Sequence, residues 1–170
     1  MNIIKKSDIN LKIHIWLRQL IKKTIKQKDN INNLIKMENC IFCKIVAGEI
    51  PAHKIWENDH VLAFLDVNPI AKGHTLVIPK KHCMDIFDAD DEYLKEITAA
   101  LKKVSSLIKQ DLGATGVNLM NASGIDAQQT VFHLHFHIIP RFTNDGLDTW
   151  PKSDFKDTSL EETAKKIRGS

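Results

Sequence analysis

His133-Leu134-His135-Phe136-His137-Ile138-Ile139-Pro140-Arg141 alternates three imidazoles with bulky apolar side chains at a period of two. That period belongs to a β-strand, on which successive side chains point to opposite faces. His133, His135 and His137 therefore share one side, and Leu134, Phe136 and Ile138 share the other, so one face reads as a core and the other as a site. Imidazole titrates near neutral pH and serves as nucleophile, general acid or base, or metal ligand, so a row of three beside an apolar face points to chemistry and not to packing alone. At a rise of about 3.3 Å per residue the first and third imidazoles stand roughly 13 Å apart. They cannot share one ion comfortably: a metal that takes neighbours from the row needs a ligand from elsewhere and leaves one imidazole for another task.

The rest of the chain supplies partners for this strand. Ile41 to Ala47 reads as a short helix or turn, and Lys54 to Glu57 and Val61 to Val67 read as a strand pair turning at Asn58-Asp59. His74 to Pro79 is an apolar, β-branched third strand. Asp91 to Lys109 is an amphipathic helix with Leu94, Ile97, Leu101, Val104 and Ile108 on its buried stripe, closed by Gly113. Gly116 to Ala122 and Leu134 to Pro140 are strands flanking the loop Ser123 to Gln128, Asp145-Gly146 is a turn, and Leu160 to Ile167 forms a short helix. Strands, one long helix and more strands predict an α+β domain with a mainly antiparallel sheet.

A length of 170 residues gives room for one domain with a proper core. The net charge of +3 hides an asymmetry. Residues 1–36 carry nine Lys/Arg against two Asp, net +7, and the remainder carries fifteen against nineteen, net −4. In the basic segment Ile13, Trp16, Leu17, Leu20 and Ile21 follow helical spacing. It reads as a translated extension ahead of a true start at Met37, with a targeting presequence or a basic amphipathic helix as the alternatives. Membrane contact is expected only if this extension is real, and no nucleic-acid partner is expected. The division that follows is an extension at 1–36, a domain at 37–145 and a tail with a short helix at 146–170. No run approaches the ~18 apolar residues of a membrane span, and no secretory cleavage pattern is visible. Three cysteines, two of them as Cys40-x-x-Cys43, are not a disulfide framework, so a soluble cytoplasmic protein in a reducing compartment is expected.

The triple-histidine run, with each imidazole followed by an apolar residue, resembles the signature of the histidine triad (HIT) hydrolases and nucleotidyl transferases. The resemblance extends to Gln129-Thr130-Val131-Phe132 before the run, Asn121 upstream, and Gly73-His74-Thr75-Leu76-Val77-Ile78-Pro79-Lys80-Lys81-His82 in the middle. Cys40-Ile41-Phe42-Cys43-Lys44-Ile45 and Gly48-Glu49-Ile50-Pro51-Ala52 look like the Hint-like bacterial branch. These blocks keep the family's order from about Glu38 to Arg141. The resemblance implies a HIT-like fold: a five-stranded mainly antiparallel sheet with one long helix and short terminal helices, paired as a homodimer.

It also implies residue roles. His135, the central imidazole, corresponds to the nucleophile that attacks an α-phosphorus and carries the nucleotide covalently before water releases a nucleoside monophosphate. Such a nucleophile needs an unprotonated nitrogen, so its other ring nitrogen is expected to donate to a main-chain carbonyl. His137 and His74 are expected to face the phosphate, at least one of them charged. Thr130 corresponds to a position contacting the phosphate or leaving group, and Asn121 and Gln129 to positions bonding near the phosphate. Gln128 stands where the family commonly has glycine, and the loop before it reads as one residue longer than in the animal proteins. Asp66 corresponds to the carboxylate on the ribose hydroxyls, and Phe42, Ile45, Ile50, Phe64 and Val67 to the apolar slot for a purine base, adenine or guanine alike.

Cys40 and Cys43 by themselves read as zinc ligands, a redox dithiol or two small buried residues, and a closed zinc site needs two more ligands. The resemblance supplies His82 and His133 for a structural zinc, leaving Cys83 as a free thiol. The substrates implied are adenosine phosphoramidates, acyl-adenylates or dinucleoside polyphosphates. A nucleotide-binding regulatory protein with vestigial turnover, and a zinc-dependent enzyme using the triad as ligands, are the alternatives.

Overall fold

The computed structural model describes residues 18, 20–24, 39–149, 153–156 and 158–169. Its sheet has five strands, β1 (Lys54–Glu57), β2 (Val61–Leu65), β3 (Thr75–Pro79), β4 (Gly116–Asn121) and β5 (Phe136–Arg141), in the spatial order β1-β2-β3-β5-β4. Every neighbouring pair is antiparallel. Asn58 makes the first hairpin, its side-chain oxygen accepting from the backbone N–H of His60 at 2.9 Å and of Val61 at 2.7 Å, the local bond that suits Asn to turns.

Both faces of the sheet are covered. The long helix α2 (Asp91–Leu112) lays Ile97, Ala100, Leu101, Val104 and Ile108 against one face, where Val61, Ala63, Val77, Leu134 and Ile138 meet it. Acidic residues Asp91 and Glu92 sit in its first turn and Lys109 in its last, matching the helix dipole. Gly113 ends it at φ 70°, the left-handed conformation glycine adopts without strain. On the opposite face the short helix α1 (Ile41–Val46) packs Phe42 and Ile45 on Leu62, Phe64, Leu76 and Ile78. Leu62, Ile78, Ile97, Leu134 and Ile138 are fully buried, and side chains of this kind each contribute about 1.5–3 kcal/mol on removal from water. The imidazole face is therefore a second core as well as a site, which alternation alone did not reveal.

The ladder of β5 begins at Phe136, two residues later than the period of two predicts. His133, Leu134 and His135 lie outside the sheet: His133 is in a bend, and Leu134 N–H donates to Cys83 O at 2.8 Å in place of a strand partner. The helix at Leu160–Arg168 is present and has no buried residue. Of the predicted amphipathic positions in the basic segment, Leu20 and Ile21 are exposed, while Ile13, Trp16 and Leu17 lie outside the described residues. Among the described residues no helix is long and apolar enough to cross a membrane.

Candidate functional site

The three imidazoles take up different surroundings. His133 is fully buried and turns towards α1 and the end of β3. Its Nδ1 lies 3.4 Å from Cys40 Sγ, 3.6 Å from Cys43 Sγ and 3.3 Å from His82 Nδ1, and Cys43 Sγ lies 3.3 Å from His82 Nδ1. The two thiols meet because positions i and i+3 share a side of a helical turn. A tetrahedral ion with M–S about 2.3 Å and M–N about 2.0–2.1 Å has edges of roughly 3.3–3.8 Å between ligand atoms, so these four residues fit one.

The protonation of the group agrees. A carbonyl only accepts, so His133 Nε2, 2.9 Å from Pro79 O, carries the proton and Nδ1 presents its lone pair to the thiols. A backbone acceptor behind the ligating ring is the usual support of a metal-bound histidine. Burial pushes His133 down to about 4, and burial, with Cys40 beside it, pushes the Cys43 thiol up to about 12. A dication resolves that crowding of neutral groups by displacing the thiol protons. Cys83 is a free, buried thiol, raised to about 11 chiefly by burial.

His135 is also buried, and its Nδ1 donates to His133 O at 2.7 Å. The lone pair is thereby left on Nε2, the tautomer a nucleophile requires. Phe42, between the two cysteines in sequence, meets His135, Phe64 and His133 edge to face at centroid distances of 5.4, 5.7 and 5.8 Å. One helical residue thus braces both the thiol–imidazole group and the candidate nucleophile.

His137 and His74 form a pair, with His137 Nδ1 2.9 Å from His74 Nε2. The backbone N–H of Ile70 donates to His74 Nδ1 at 3.3 Å, which places the proton of His74 on Nε2 and, through it, that of His137 on its own Nε2. Asp66 Oδ2 stands 3.7 Å from His74 and 3.9 Å from His137, while Oδ1 accepts from Asn68 N–H at 2.8 Å. Burial lowers His74 against the pull of Asp66. Burial, then the neighbouring His135 and His74, lowers His137 to about 4, again against Asp66. Without a phosphate alongside, desolvation outweighs one carboxylate nearly 4 Å away and favours the neutral form of both rings.

Asp66, His74 and His137 also lie close enough to hold an ion, but their outer contacts oppose it. Metal at His74 Nε2 would move the ring proton to Nδ1, directly against the Ile70 N–H donor. Of the two groups the cysteine-bearing one is arranged for metal.

A cleft of about 820 Å³ opens beside this row, a volume suited to a small organic ligand. Phe42, Ile45, Ile50, Phe64, Asp66, Val67, Thr130, His135 and His137 all line it. Val67 is 85% exposed and stands at the rim, outside the buried wall. Three residues assigned to the site do not line the cleft. His74 lies behind His137. Asn121 Nδ2 donates to His135 O at 2.8 Å, and its Oδ1 accepts from Ser123 Oγ at 2.7 Å. Gln129 Nε2 donates to Met84 O at 2.7 Å and Val131 O at 3.1 Å, and its Oε1 accepts from Gly124 N–H at 2.8 Å. Both amides fasten backbone around the stretch that carries His135. Gln128, where the resemblance expects glycine, sits at φ 66°, a left-handed backbone that favours glycine.

The sequence reading overlooked Ile41, Ala52, His53, Leu76 and Val131, which also line the cleft. Leu76 was findable, being two residues after His74 at the start of β3 and directly opposite His137. His53 carried no such signal.

Comparison with known proteins agrees with this geometry. The family description "HIT domain" matches residues 47–144. Protein hit of Bacillus subtilis is 44% identical over 134 residues, covering 76% of this chain and 92% of that protein. An adenosine 5'-monophosphoramidase of Schizosaccharomyces pombe is 40% identical over 136 residues, covering 76% and 99%. The crystal structure of a HIT family member from Bacillus subtilis superposes with a TM-score of 0.71 at 43% identity, covering 77% of this chain and 96% of that one. A zinc-bound histidine triad protein from Mycobacterium smegmatis does so with a TM-score of 0.63 at 36% identity, covering 78% and 93%. The fold, the divided histidine row and these relatives together establish that the chain belongs to the HIT family.

Proposed function

We propose that the protein is a nucleotide hydrolase cleaving adenosine phosphoramidates, acyl-adenylates or dinucleoside polyphosphates at the α-phosphate. The observation that carries this reading is the tautomer of His135: its Nδ1–H is committed to the His133 carbonyl at 2.7 Å, and its lone pair is on Nε2 in a ring lining the cleft. Relatives named adenosine 5'-monophosphoramidase support the substrate class.

In the reaction on a phosphoramidate, the Nε2 lone pair of His135 attacks phosphorus. The P–N bond breaks, its electron pair going to nitrogen, which takes a proton and leaves as the amine. Water then attacks phosphorus, the bond to His135 breaks with its pair returning to Nε2, a proton is released, and the nucleoside monophosphate departs. Splitting the displacement in two lowers each barrier. His137 presents its Nε2–H as a neutral donor, held in that tautomer by His74, and the phosphate anion brought alongside favours protonation of the pair. Thr130 supplies a hydroxyl donor. Asp66 and the apolar side chains of α1 and β2 hold the ribose and a purine.

The structural metal in this reading is one zinc held by Cys40, Cys43, His82 and His133, fixing α1 to the catalytic strand. It performs no step of the displacement. A homodimer paired through the exposed edge of β4, where Leu119 is 49% and Met120 42% exposed, completes the reading, with residues 37–145 as the domain. Mass spectrometry of protein quenched during turnover of adenosine 5'-phosphoramidate tests the mechanism: the nucleotidyl adduct is expected on His135 and absent from His135→Asn, whose turnover should nearly vanish. An adduct on another residue, or wild-type turnover by His135→Asn, would overturn it.

A further inference from the structure

We infer that Asp66 is a positioning residue for the reaction as well as a ribose ligand: its Oδ2 anchors an additional proton on the His74–His137 pair, so that His137 meets the phosphate as a cation. This rests on the hydrolase reading above and deepens it.

The hydrogen-bond chain through the pair is complete when both rings are neutral. Ile70 N–H donates to His74 Nδ1, His74 Nε2–H donates to His137 Nδ1 at 2.9 Å, and His137 carries its own proton on Nε2. A further proton on His74 Nδ1 would face the Ile70 N–H, and one on His137 Nδ1 would face the His74 N–H. Either way two donors confront each other.

Asp66 Oδ2 is placed to relieve the second confrontation. It lies 3.7 Å from His74 Nε2 and 3.9 Å from His137 Nδ1, the same two nitrogens, so a small turn of either ring brings an N–H onto it. Asn68 N–H holds Oδ1 at 2.8 Å, and Asp66 N–H donates to His74 O at 2.9 Å, which fixes the carboxylate beside the pair. The side chain is 15% exposed, and charges attract more strongly where water is thinned. His135 and Asp66 are the titratable groups facing the pair, His135 opposing a further proton on His137 and Asp66 favouring it. Leu76 and Met120, opposite His137 on β3 and β4, carry no charge. Among the described residues Asp66 is the only carboxylate lining the cleft. The protein thus draws the proton from one side of the pair and the phosphate draws it from the other. Ribose hydroxyls donating to the same carboxylate compete with the pair for it, which links sugar to proton.

The experiment follows kcat and KM against pH for the full chain with adenosine 5'-phosphoramidate and with its 2',3'-dideoxy counterpart, which has no hydroxyl for Asp66. In wild type the dideoxy substrate should raise KM, and its kcat should hold to higher pH before falling, because the protonated pair keeps the carboxylate to itself. Asp66→Asn retains an acceptor for Asn68 N–H and removes the charge. A pair that has lost an opposite charge gives up its proton at lower pH, so the alkaline fall in kcat should move down on both substrates. At pH 8 kcat should drop about tenfold or more, the effect of one pH unit, with melting near wild type. If Asp66→Asn matches wild type on the dideoxy substrate, its loss confined to KM of the ribose substrate, Asp66 is a ribose ligand alone and the inference is overturned, the hydrolase reading standing. Coincident pH profiles of kcat for the two substrates in wild type would overturn it equally, without recourse to a variant. Failure of wild type to turn over either substrate would overturn both readings.

Discussion

Gly73 precedes His74, and replacing it with alanine tests how tightly the start of β3 is held. A Cβ at Gly73, φ +82°, would meet Leu112 Cδ1 at 2.4 Å and Pro140 Cγ at 3.5 Å, whereas one at Gly113, φ +70°, would meet nothing within 4 Å. The pair separates backbone strain from overlap. An alanine in the left-handed region costs about 1–2 kcal/mol, offset by the ~0.4–1 kcal/mol that alanine saves by restricting the unfolded chain. Gly113→Ala should therefore cost about 1 kcal/mol. In Gly73→Ala the overlapped atom is the far end of the Leu112 side chain, which is part-exposed and can turn aside, so the added cost lies at the low end of the ~1–3 kcal/mol of overpacking, for about 2 in all. At roughly 3–5 °C per kcal/mol for a domain of this size, melting should fall about 4 °C for Gly113→Ala and about 6–10 °C for Gly73→Ala. Leu112 ends α2 and is 36% exposed, so Leu112→Ala should relieve the overlap and the double variant should show a coupling of about 1 kcal/mol or more. Thermal and urea unfolding of wild type, the three single variants and the double variant measures each term. Equal destabilisation by Gly73→Ala and Gly113→Ala, or strict additivity of Gly73→Ala with Leu112→Ala, would refute the reasoning.

Metal analysis of the purified chain should find close to one zinc per protein. Cys43→Ser should bind less and melt lower, while its folded fraction keeps turning over because His135 needs no ion to attack; metal-free wild type of full stability would contradict this. Acid should destabilise the fold through His74 and His137, both lowered mainly by burial, the second from 6.5 to about 4. The folded state then binds fewer protons than the unfolded chain in that window, so their contribution is present above the unfolded value and is lost as pH falls towards 4, by up to ~1.4 kcal/mol per pH unit for each imidazole. Urea unfolding at pH 7, 6 and 5 checks it, and a flat profile would show that the rings are charged in the fold.

Much of the architecture was legible because its signals are local. The spacing of Ile97, Leu101, Val104 and Ile108 marks the buried stripe of α2, and Gly113 its end. The strand β3 follows from its β-branched run and β2 from the turn at Asn58. Misjudged boundaries share a cause: hydrogen bonds outside the ladder take the backbone before the pattern stops. Val61 to Val67 was read as continuous strand, yet β2 ends at Leu65, where Asp66 starts a turn through its bond to Asn68. His133 to His135 keep the strand's period without its ladder, because Cys83 supplies the bond that a strand would. In the site, residue types and the family pattern located the cleft, but not the inward turn of the Asn121 and Gln129 amides, which depends on Ser123, Met84 and Gly124 from distant loops. The downward shift of His74 and His137 was equally hidden, since desolvation belongs to the packed molecule and not to the residue.

The alternation from His133 to His137 makes this stretch intolerant of changes in length. One residue inserted or lost between Leu134, pinned by Cys83, and Ile138, paired with Thr75, would exchange the two faces of the strand. Imidazoles would pass beneath α2, and leucine, phenylalanine and isoleucine would line the cleft. Substitution can retune the site one side chain at a time, but insertion or deletion here would abolish core and catalysis together. Length variation is left to places such as the 123–128 loop, whose residues 125–128 are exposed and stand outside every strand register.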